Sequence, residues 1–160
     1  MVRIVKSRID YVEHAINFAD WCPLQCDYCY YHSPKSLWRK KRGIKVERKV
    51  DKNLEELRAQ LHSFRVKGDI LISARHEPLH ALFLETTIEI LHTIEELRPD
   101  LLPHVRILSK EGWFNDSFSA RLRLPDGIKF GQTITTLNQG VAYLVETSAA
   151  EVTRLSLIHI

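Results

Sequence analysis

The sequence has little of what marks disordered, secreted or membrane-spanning proteins. Among its 160 residues are six glycines and six prolines, too few for a disordered or collagen-like chain. Its first ten residues hold no apolar core of the kind that a signal peptide needs. No apolar run approaches the roughly 18–20 residues that span a bilayer. We therefore expect a cytoplasmic protein that does not enter a membrane.

Charge of one sign and cysteine are also scarce. The formal net charge is only +3, which is too weak by itself to indicate nucleic-acid binding. All three cysteines lie between Cys22 and Cys29. An odd number in so short a stretch is a poor disulfide framework but a good set of metal ligands, because a reducing cytosol leaves the thiols available.

Hydrophobic periodicity predicts that strands alternate with helices. Short apolar or β-branched runs predict four strands, at 14–19, 69–73, 105–109 and 128–136. Apolar residues three or four positions apart predict a helix capped by Asp51 and stopped by Gly68, and a second over about 84–97 that ends before Pro99. Shorter helices are expected at 115–122 and after Ser148.

This order predicts an α/β fold with a parallel sheet. Two architectures are open, an open doubly wound sheet and an arc of a (β/α) barrel. In both, the chemistry belongs at the carboxyl ends of the strands, and the cysteines directly follow the first predicted strand. A full barrel needs eight units and about 250 residues, so the sequence predicts a partial barrel that is truncated after about four units.

The two ends of the chain differ in what we expect of them. Residues 1–154 are expected to form one domain, the N-terminal part of the barrel. Residues 155–160 match one reading frame of a common adaptor used in DNA sequencing, and they stop inside a helical pattern without a cap. We therefore expect an artefactual or truncated tail, with the natural reading frame cut near Arg154.

The central motif is the loop from Cys22 to Cys29, with the spacing Cys-x3-Cys-x2-Cys and an aromatic residue, Tyr28, before the third cysteine. Three thiolates on one short loop can bind three irons of a cubane cluster, because soft sulfur ligands suit iron–sulfur clusters. The lack of a fourth cysteine leaves one iron open to a substrate or cofactor.

This loop closely resembles the Cys-x3-Cys-x-aromatic-Cys motif of the radical S-adenosylmethionine (SAM) superfamily. The resemblance implies an enzyme with a [4Fe–4S] cluster on Cys22, Cys26 and Cys29, SAM on the fourth iron, and Tyr28 near the adenine. One electron, from a donor such as a flavodoxin or ferredoxin, would then cleave SAM into methionine and a 5′-deoxyadenosyl radical. That radical would abstract hydrogen from the substrate.

A second stretch supports the resemblance. The residues from Ser73 to Leu79 follow the second predicted strand, where the superfamily often has Gly-Gly-Glu-Pro-Leu. Glu77 matches the glutamate, which implies contact with the amino group of SAM, with Ser73 as a further candidate. Arg75 and His76 stand where the family has two glycines, a departure that bears on how closely the backbone approaches the cofactor.

Further positions resemble the spore photoproduct lyase and DNA repair photolyase-like branch. Lys110 follows the third strand, where the branch has a lysine that meets the SAM carboxylate. The branch also has Tyr-Cys-Tyr in the cluster loop, as at 28–30 here, and a hydroxyl residue on its fourth strand, for which Thr135 is the candidate. A nucleic-acid lesion as substrate follows only from this analogy.

The segment from Lys35 to Lys52 carries nine Lys or Arg and two acids, with Trp38 among them. It could grip the phosphates of a nucleic-acid or nucleotide substrate, or form an ordinary solvated loop.

Two other interpretations stay open. His32 extends the cysteines to Cys-x3-Cys-x2-Cys-x2-His, a conceivable zinc site in a nucleic-acid-binding module without catalysis. Alternatively, the chain is part of the enzyme but inactive alone, because half a barrel would not shield a radical.

Overall fold

The computed structural model describes residues 1–9, 11–24, 49–110 and 124–132. Within these ranges, five strands form one sheet: β1 (Arg3–Lys6), β2 (His14–Asn17), β3 (Ile70–Ile72), β4 (Val105–Ser109) and β5 (Lys129–Gln132). The helices are α1 (Glu55–Ser63), α2 (Leu84–Leu97) and a 3-10 helix (Pro99–His104) that follows α2 directly.

The strands lie side by side in chain order, from β1 to β5. β1 is antiparallel to β2, and the four strands from β2 to β5 are parallel. The chain is therefore a mixed α/β fold with a mostly parallel sheet, as the sequence predicts. From β2 to β5, each new strand is added at the same side of the sheet. The order of the described strands across the sheet is therefore not reversed at any point.

Both helices cover the same face of the sheet. The strands contribute alternate residues to the main core, among them Ile16, Ile70, Ile72, Val105 and Ile107. The helices contribute Leu57, Leu61, Ile90, Leu91 and Ile94 to that core. The opposite face carries a smaller buried cluster of Val12, Ala15 and Leu71. Because the side chains of a strand alternate between faces, the strand residues of the main core all lie on the face that the two helices cover.

Several predicted elements are confirmed. The helix over 84–97 and the strand over 105–109 have the predicted bounds, and the helix ends before Pro99. The strand predicted at 69–73 forms at Ile70–Ile72. The strand predicted at 14–19 is shorter, because Phe18 and Ala19 leave the sheet while staying buried. The strand predicted at 128–136 is seen as β5, and residues 133–136 lie outside the described ranges.

The predicted start of the first helix is wrong. Asp51 does not cap it, and α1 begins at Glu55. The Asp51 carboxylate accepts the N–H of Asn53 at 3.1 Å, and the Asn53 amide oxygen accepts the N–H of Glu55 at 2.9 Å. Two successive side-chain turns therefore hold the backbone out of the helix up to residue 54.

The predicted helix stop at Gly68 is also wrong, since α1 ends at Ser63. Gly68 instead forms the turn before β3, with φ of +81°. The Glu13 carboxylate lies where a β-carbon of residue 68 would be, and it accepts the N–H of Asp69 at 2.9 Å. Glycine is required there by its backbone conformation and by this close approach.

β1 is not among the predicted strands, and it pairs with the outer edge of β2. The helices predicted at 115–122 and after Ser148, and the tail at 155–160, lie outside the described residues. Among the helices that the structure describes, none has the length and apolarity to cross a membrane.

Candidate functional site

Polar residues lie at the carboxyl ends of three neighbouring parallel strands. Asn17 ends β2, Ser73 follows β3, and Ser109 ends β4. The hydroxyl-bearing residues Ser73 and Ser109 are buried. The Asn17 amide oxygen accepts the N–H of Ala74 at 2.8 Å, so the end of β2 is tied to the loop after β3. We call this edge of the sheet, with the loop from Ser73 to Leu79, the carboxyl edge.

Ser73 has an unusual backbone conformation for a residue with a side chain. Its φ is +58°, in the left-handed region that favours glycine. Its hydroxyl donates to the carbonyl of His76 at 2.8 Å and accepts the N–H groups of His76 and Arg75 at 3.0 and 3.3 Å. One side chain therefore closes a tight turn after β3, and such left-handed residues cluster at functional sites.

The Glu77 side chain joins two strands at the carboxyl edge. It is only 4% exposed. One carboxyl oxygen accepts the N–H of Leu79 at 3.3 Å, and the other accepts the N–H of Lys110 at 2.7 Å. The structure thus brings together two residues that the sequence predicts to bind SAM.

The first turn of α2 supports this loop from the helix side. The Thr87 hydroxyl donates to the carbonyl of Pro78 at 2.6 Å, and Pro78 and Leu79 are buried. The backbone on either side of the Glu77 carboxyl is therefore anchored to the core.

The segment that contains the cysteines leaves from and returns to the carboxyl edge. Ala19 and Val50 form an isolated antiparallel bridge, and the N–H of Asp51 donates to the carbonyl of Phe18 at 2.8 Å. We call these four residues the neck. Cys22, which is half-buried, comes three positions after Ala19.

His76 contacts the neck from the loop after β3. Its Nδ1 lies 3.1 Å from the carbonyl oxygen of Ala19. Because a carbonyl only accepts, Nδ1 carries the proton and Nε2 carries a lone pair. Nε2 is buried and has no hydrogen-bond partner among the described residues. The ring packs edge-on against Phe18, with centroids 4.3 Å apart, and lies 4.6 Å from the Phe83 ring.

Burial lowers the pKa of His76 from 6.5 to about 3. The hydrogen bond to Ala19 and the charge of Asp20 oppose this shift, while the charge of Arg75 adds to it. Loss of hydration dominates because an imidazolium in this aromatic surrounding has little to replace water. The imidazole is therefore neutral at physiological pH.

Arg75 makes a second contact next to the neck. Its guanidinium forms an ion pair with the carboxylate of Asp20. Trp21 packs on the Phe83 ring at 5.1 Å between centroids. Residues 20 and 21 are therefore held against the carboxyl edge directly ahead of Cys22.

The predicted site residues divide into two groups. Cys22, Ser73, Glu77 and Lys110 belong to the carboxyl edge or to segments that start there. The other predicted site residues, and His32 of the zinc alternative, lie outside the described residues: Cys26, Tyr28, Cys29 and Thr135. Of the basic segment Lys35–Lys52, only residues 49–52 are described, and Lys52 pairs with Glu85 at 2.5 Å.

No group of three or more His, Cys, Asp or Glu side chains is placed to hold a metal ion in the described ranges, which include only the first of the three cysteines.

Sequence reasoning missed the roles of Asn17, Asp20 and the pair Arg75–His76. The only sequence signal for Arg75 and His76 is that they stand where the superfamily has two glycines. Their partners are backbone and carboxylate groups more than fifty positions away, which spacing along the chain does not reveal.

The chain was compared with protein families, with curated proteins and with solved structures, and none matches.

Proposed function

We propose that this chain belongs to a radical SAM enzyme, in which Cys22, Cys26 and Cys29 hold a [4Fe–4S] cluster. The observation that carries the proposal is where the motif starts. Cys22 follows the end of β2 by five residues, at the edge where Glu77 and Lys110 meet. In α/β folds of this kind, that edge is where the chemistry takes place.

The donor groups suit both proposed cofactors. Three thiolates at this spacing match the soft iron ions of a cluster. The Glu77 carboxyl could accept the ammonium group of SAM, and the Lys110 ammonium could pair with its carboxylate. The Glu77 carboxyl binds the Lys110 backbone N–H, so the Lys110 side chain starts beside that carboxyl. Ser73, Tyr28 and Thr135 are proposed as further SAM contacts.

The sheet supports a partial (β/α) barrel more than a doubly wound sheet. Parallel strands in chain order, with both described helices on one face, are the pattern of a barrel wall. A doubly wound sheet would have a point where strand order reverses and helices on both faces. The antiparallel β1 occupies the outer edge of β2, which suits an open barrel because no last strand could close there.

The proposed substrate class is a nucleic-acid lesion, on the resemblance to the spore photoproduct lyase-like branch. The basic segment Lys35–Lys52 supports it, because its residues Val50 and Asp51 belong to the neck, and Cys22 comes three positions after Ala19 of the neck. Such a segment would place phosphate-binding groups near the proposed radical. The bound cluster would supply the electron that breaks the S–C5′ bond of SAM, from an external donor such as a flavodoxin or ferredoxin.

The test is metal and sulfide analysis after anaerobic reconstitution, followed by an assay for 5′-deoxyadenosine with SAM and dithionite. We expect about four iron and four sulfide per chain, as for a [4Fe–4S] cluster. Cys26→Ala should lose the cluster and SAM cleavage with helical content unchanged. Ser63→Ala, on the far end of α1, is the control and should keep both.

Two results would contradict the proposal. About one zinc per chain without sulfide would favour the Cys3His site with His32. Production of 5′-deoxyadenosine by Cys26→Ala at the wild-type rate would exclude the proposed cluster. A cluster that assembles without SAM cleavage would show that the chain is inactive alone, and SAM binding by equilibrium dialysis would then decide whether the predicted contacts exist.

A further inference from the structure

We infer that His76 and Arg75 are positioning residues that hold the neck and the adjoining Asp20, and so set where Cys22 lies relative to Glu77. The inference rests on the proposed function, because this placement matters to catalysis only if Cys22 is a cluster ligand.

Two consecutive residues of the loop after β3 contact two consecutive residues that follow β2. His76 donates from Nδ1 to the carbonyl of Ala19, and Arg75 forms its ion pair with Asp20. These partners are the last two residues before Trp21 and Cys22. The first contact is buried and the second lies at the surface, so the chain ahead of Cys22 is held on two sides.

The loop that makes these contacts also carries Glu77. The Ser73 hydroxyl accepts both the Arg75 and the His76 N–H groups, which fixes the backbone from which the two side chains extend. Glu77 is the next residue, and its carboxyl is bound to Lys110. A short, hydrogen-bonded path therefore links the residues before Cys22 to the proposed SAM-binding carboxyl. Glycines at positions 75 and 76 would have no side chain with which to make the first step of this path.

Packing alone is the competing explanation. The His76 ring fills space between Phe18 and Phe83, and a buried histidine could be there only for that purpose. Two substitutions separate the positioning role from packing, because asparagine keeps the hydrogen-bond donor of histidine and phenylalanine keeps an aromatic ring. The amide nitrogen of asparagine can take the place of Nδ1 but leaves the aromatic contacts incomplete. Phenylalanine keeps the ring but leaves the Ala19 carbonyl without its donor.

The experiment compares His76→Asn, His76→Phe and Arg75→Met with the wild type, and uses His92→Asn as a control. His92 is on the exposed side of α2, paired with Glu95. The first measurement is the rate at which iodoacetamide alkylates Cys22 in the metal-free protein under native conditions, read by peptide mass spectrometry. Hydrogen exchange over residues 18–22 is followed in the same samples.

We expect His76→Phe to raise the rates of alkylation and of hydrogen exchange about fivefold. Loss of one ordinary hydrogen bond, about 1 kcal/mol, shifts a local opening equilibrium by about that factor. His76→Asn should return the rates toward the wild type, and His92→Asn should leave them unchanged. Arg75→Met should raise them less, because its ion pair is at the surface. Since Arg75 is not among the buried core residues, this variant tests the inference even if His76→Phe folds poorly.

The second measurement uses the reconstituted protein. The electron paramagnetic resonance spectrum of the reduced cluster should change when SAM is added to the wild type and to His76→Asn. In His76→Phe that change should be weakened at similar iron content, because Cys22 and Glu77 are no longer held together.

The outcomes are distinguishable. Wild-type protein without an iron–sulfur cluster would refute the proposed function, while the alkylation rates would still decide whether the neck is held. Unchanged alkylation and exchange in His76→Phe and Arg75→Met would overturn the positioning role. Equal increases in His76→Asn and His76→Phe would assign His76 to packing and overturn it as well.

Discussion

The Glu77 carboxyl accepts the backbone N–H of Lys110 at 2.7 Å, which joins the loop after β3 to the end of β4. The two residues are 33 positions apart in the chain. They meet because β3 and β4 are parallel neighbours whose carboxyl ends lie at the same edge. Glu77 therefore supports the fold whether or not it also binds a cofactor, and a substitution must be judged on both properties.

Glu77→Gln is expected to lower the free energy of unfolding and to weaken SAM binding. The amide would turn its NH2 group toward one of the two N–H donors, so one buried hydrogen bond is lost, at a cost of about 1–3 kcal/mol. Urea denaturation of the metal-free protein measures the first effect. Equilibrium dialysis of reconstituted protein measures the second, which should be about tenfold or more for a lost charge-assisted contact.

Glu85→Gln is the matched control for Glu77→Gln. The Glu85 side chain is 71% exposed and pairs with Lys52 at the surface. Glu85→Gln should leave SAM binding unchanged, and it should lower the free energy of unfolding less than Glu77→Gln does. Equal losses of stability in the two variants would show that the Glu77 bonds contribute no more than a surface pair.

Ser73 should tolerate glycine better than alanine. Both variants lose the hydroxyl bonds to Arg75 and His76, at about 1–3 kcal/mol. Alanine also keeps the steric cost of the left-handed backbone, about 1–2 kcal/mol, which glycine does not have. Urea denaturation should therefore rank both the wild type and Ser73→Gly above Ser73→Ala. The reverse order of the two variants would mean that φ at residue 73 is not positive in solution.

The parts of the fold that the sequence predicts well are those with a long local pattern. α2 has its full predicted length because apolar residues recur over four turns and Pro99 follows. The start of α1 was misplaced because Asp51 can cap a helix or form a side-chain turn, and its bond to Phe18 in the neck decides between them. β1 was missed because four residues with charged ends carry almost no pattern.

The sequence predicts where in the fold the candidate site lies, but it does not predict which side chains contact one another there. Parallel strands imply that the residues after β3 and β4 share an edge, so the meeting of Glu77 and Lys110 follows from topology. The contact of His76 with the neck and the contact of Arg75 with Asp20 depend on how the loop turns at Ser73. That turn is made by a left-handed residue other than glycine, which local propensity disfavours.

His76 is expected to make stability depend on pH in the acid range. Its pKa is about 3 in the folded protein and near 6.5 when unfolded, chiefly because it is buried. The unfolded chain thus takes up a proton at a pH where the folded protein does not. The contribution of His76 to the free energy of unfolding is fully present above about pH 6.5, and it falls by up to about 1.4 kcal/mol per pH unit as the pH drops toward 3. Asp20 and Arg75, the charges that face the ring, act in opposite directions.

The measurement for His76 is urea denaturation of wild type and His76→Phe between about pH 7 and pH 4. The difference between the two proteins isolates this side chain from other titrating groups. The wild type should lose stability more steeply over this range, because the variant has no proton to take up at position 76. Parallel pH profiles would contradict the neutral, buried state of the imidazole.

Thr86 and Thr87 should respond oppositely to the same substitution. Both are buried in the first turn of α2. The Thr87 hydroxyl donates to the Pro78 carbonyl at 2.6 Å, whereas the buried Thr86 hydroxyl has no partner among the described residues. Valine keeps the shape and has nearly the same helix propensity, so the hydroxyl is the only large change.

Thr87→Val leaves the Pro78 carbonyl without its donor and should lower the free energy of unfolding by about 1–2 kcal/mol. Thr86→Val removes an unpaired buried hydroxyl and should be neutral or raise that free energy by about 1 kcal/mol. Urea denaturation of the two single variants decides. A loss of similar size in both would mean that Thr86 has a partner in solution, and no loss in either would mean that α2 does not anchor the loop that carries Glu77.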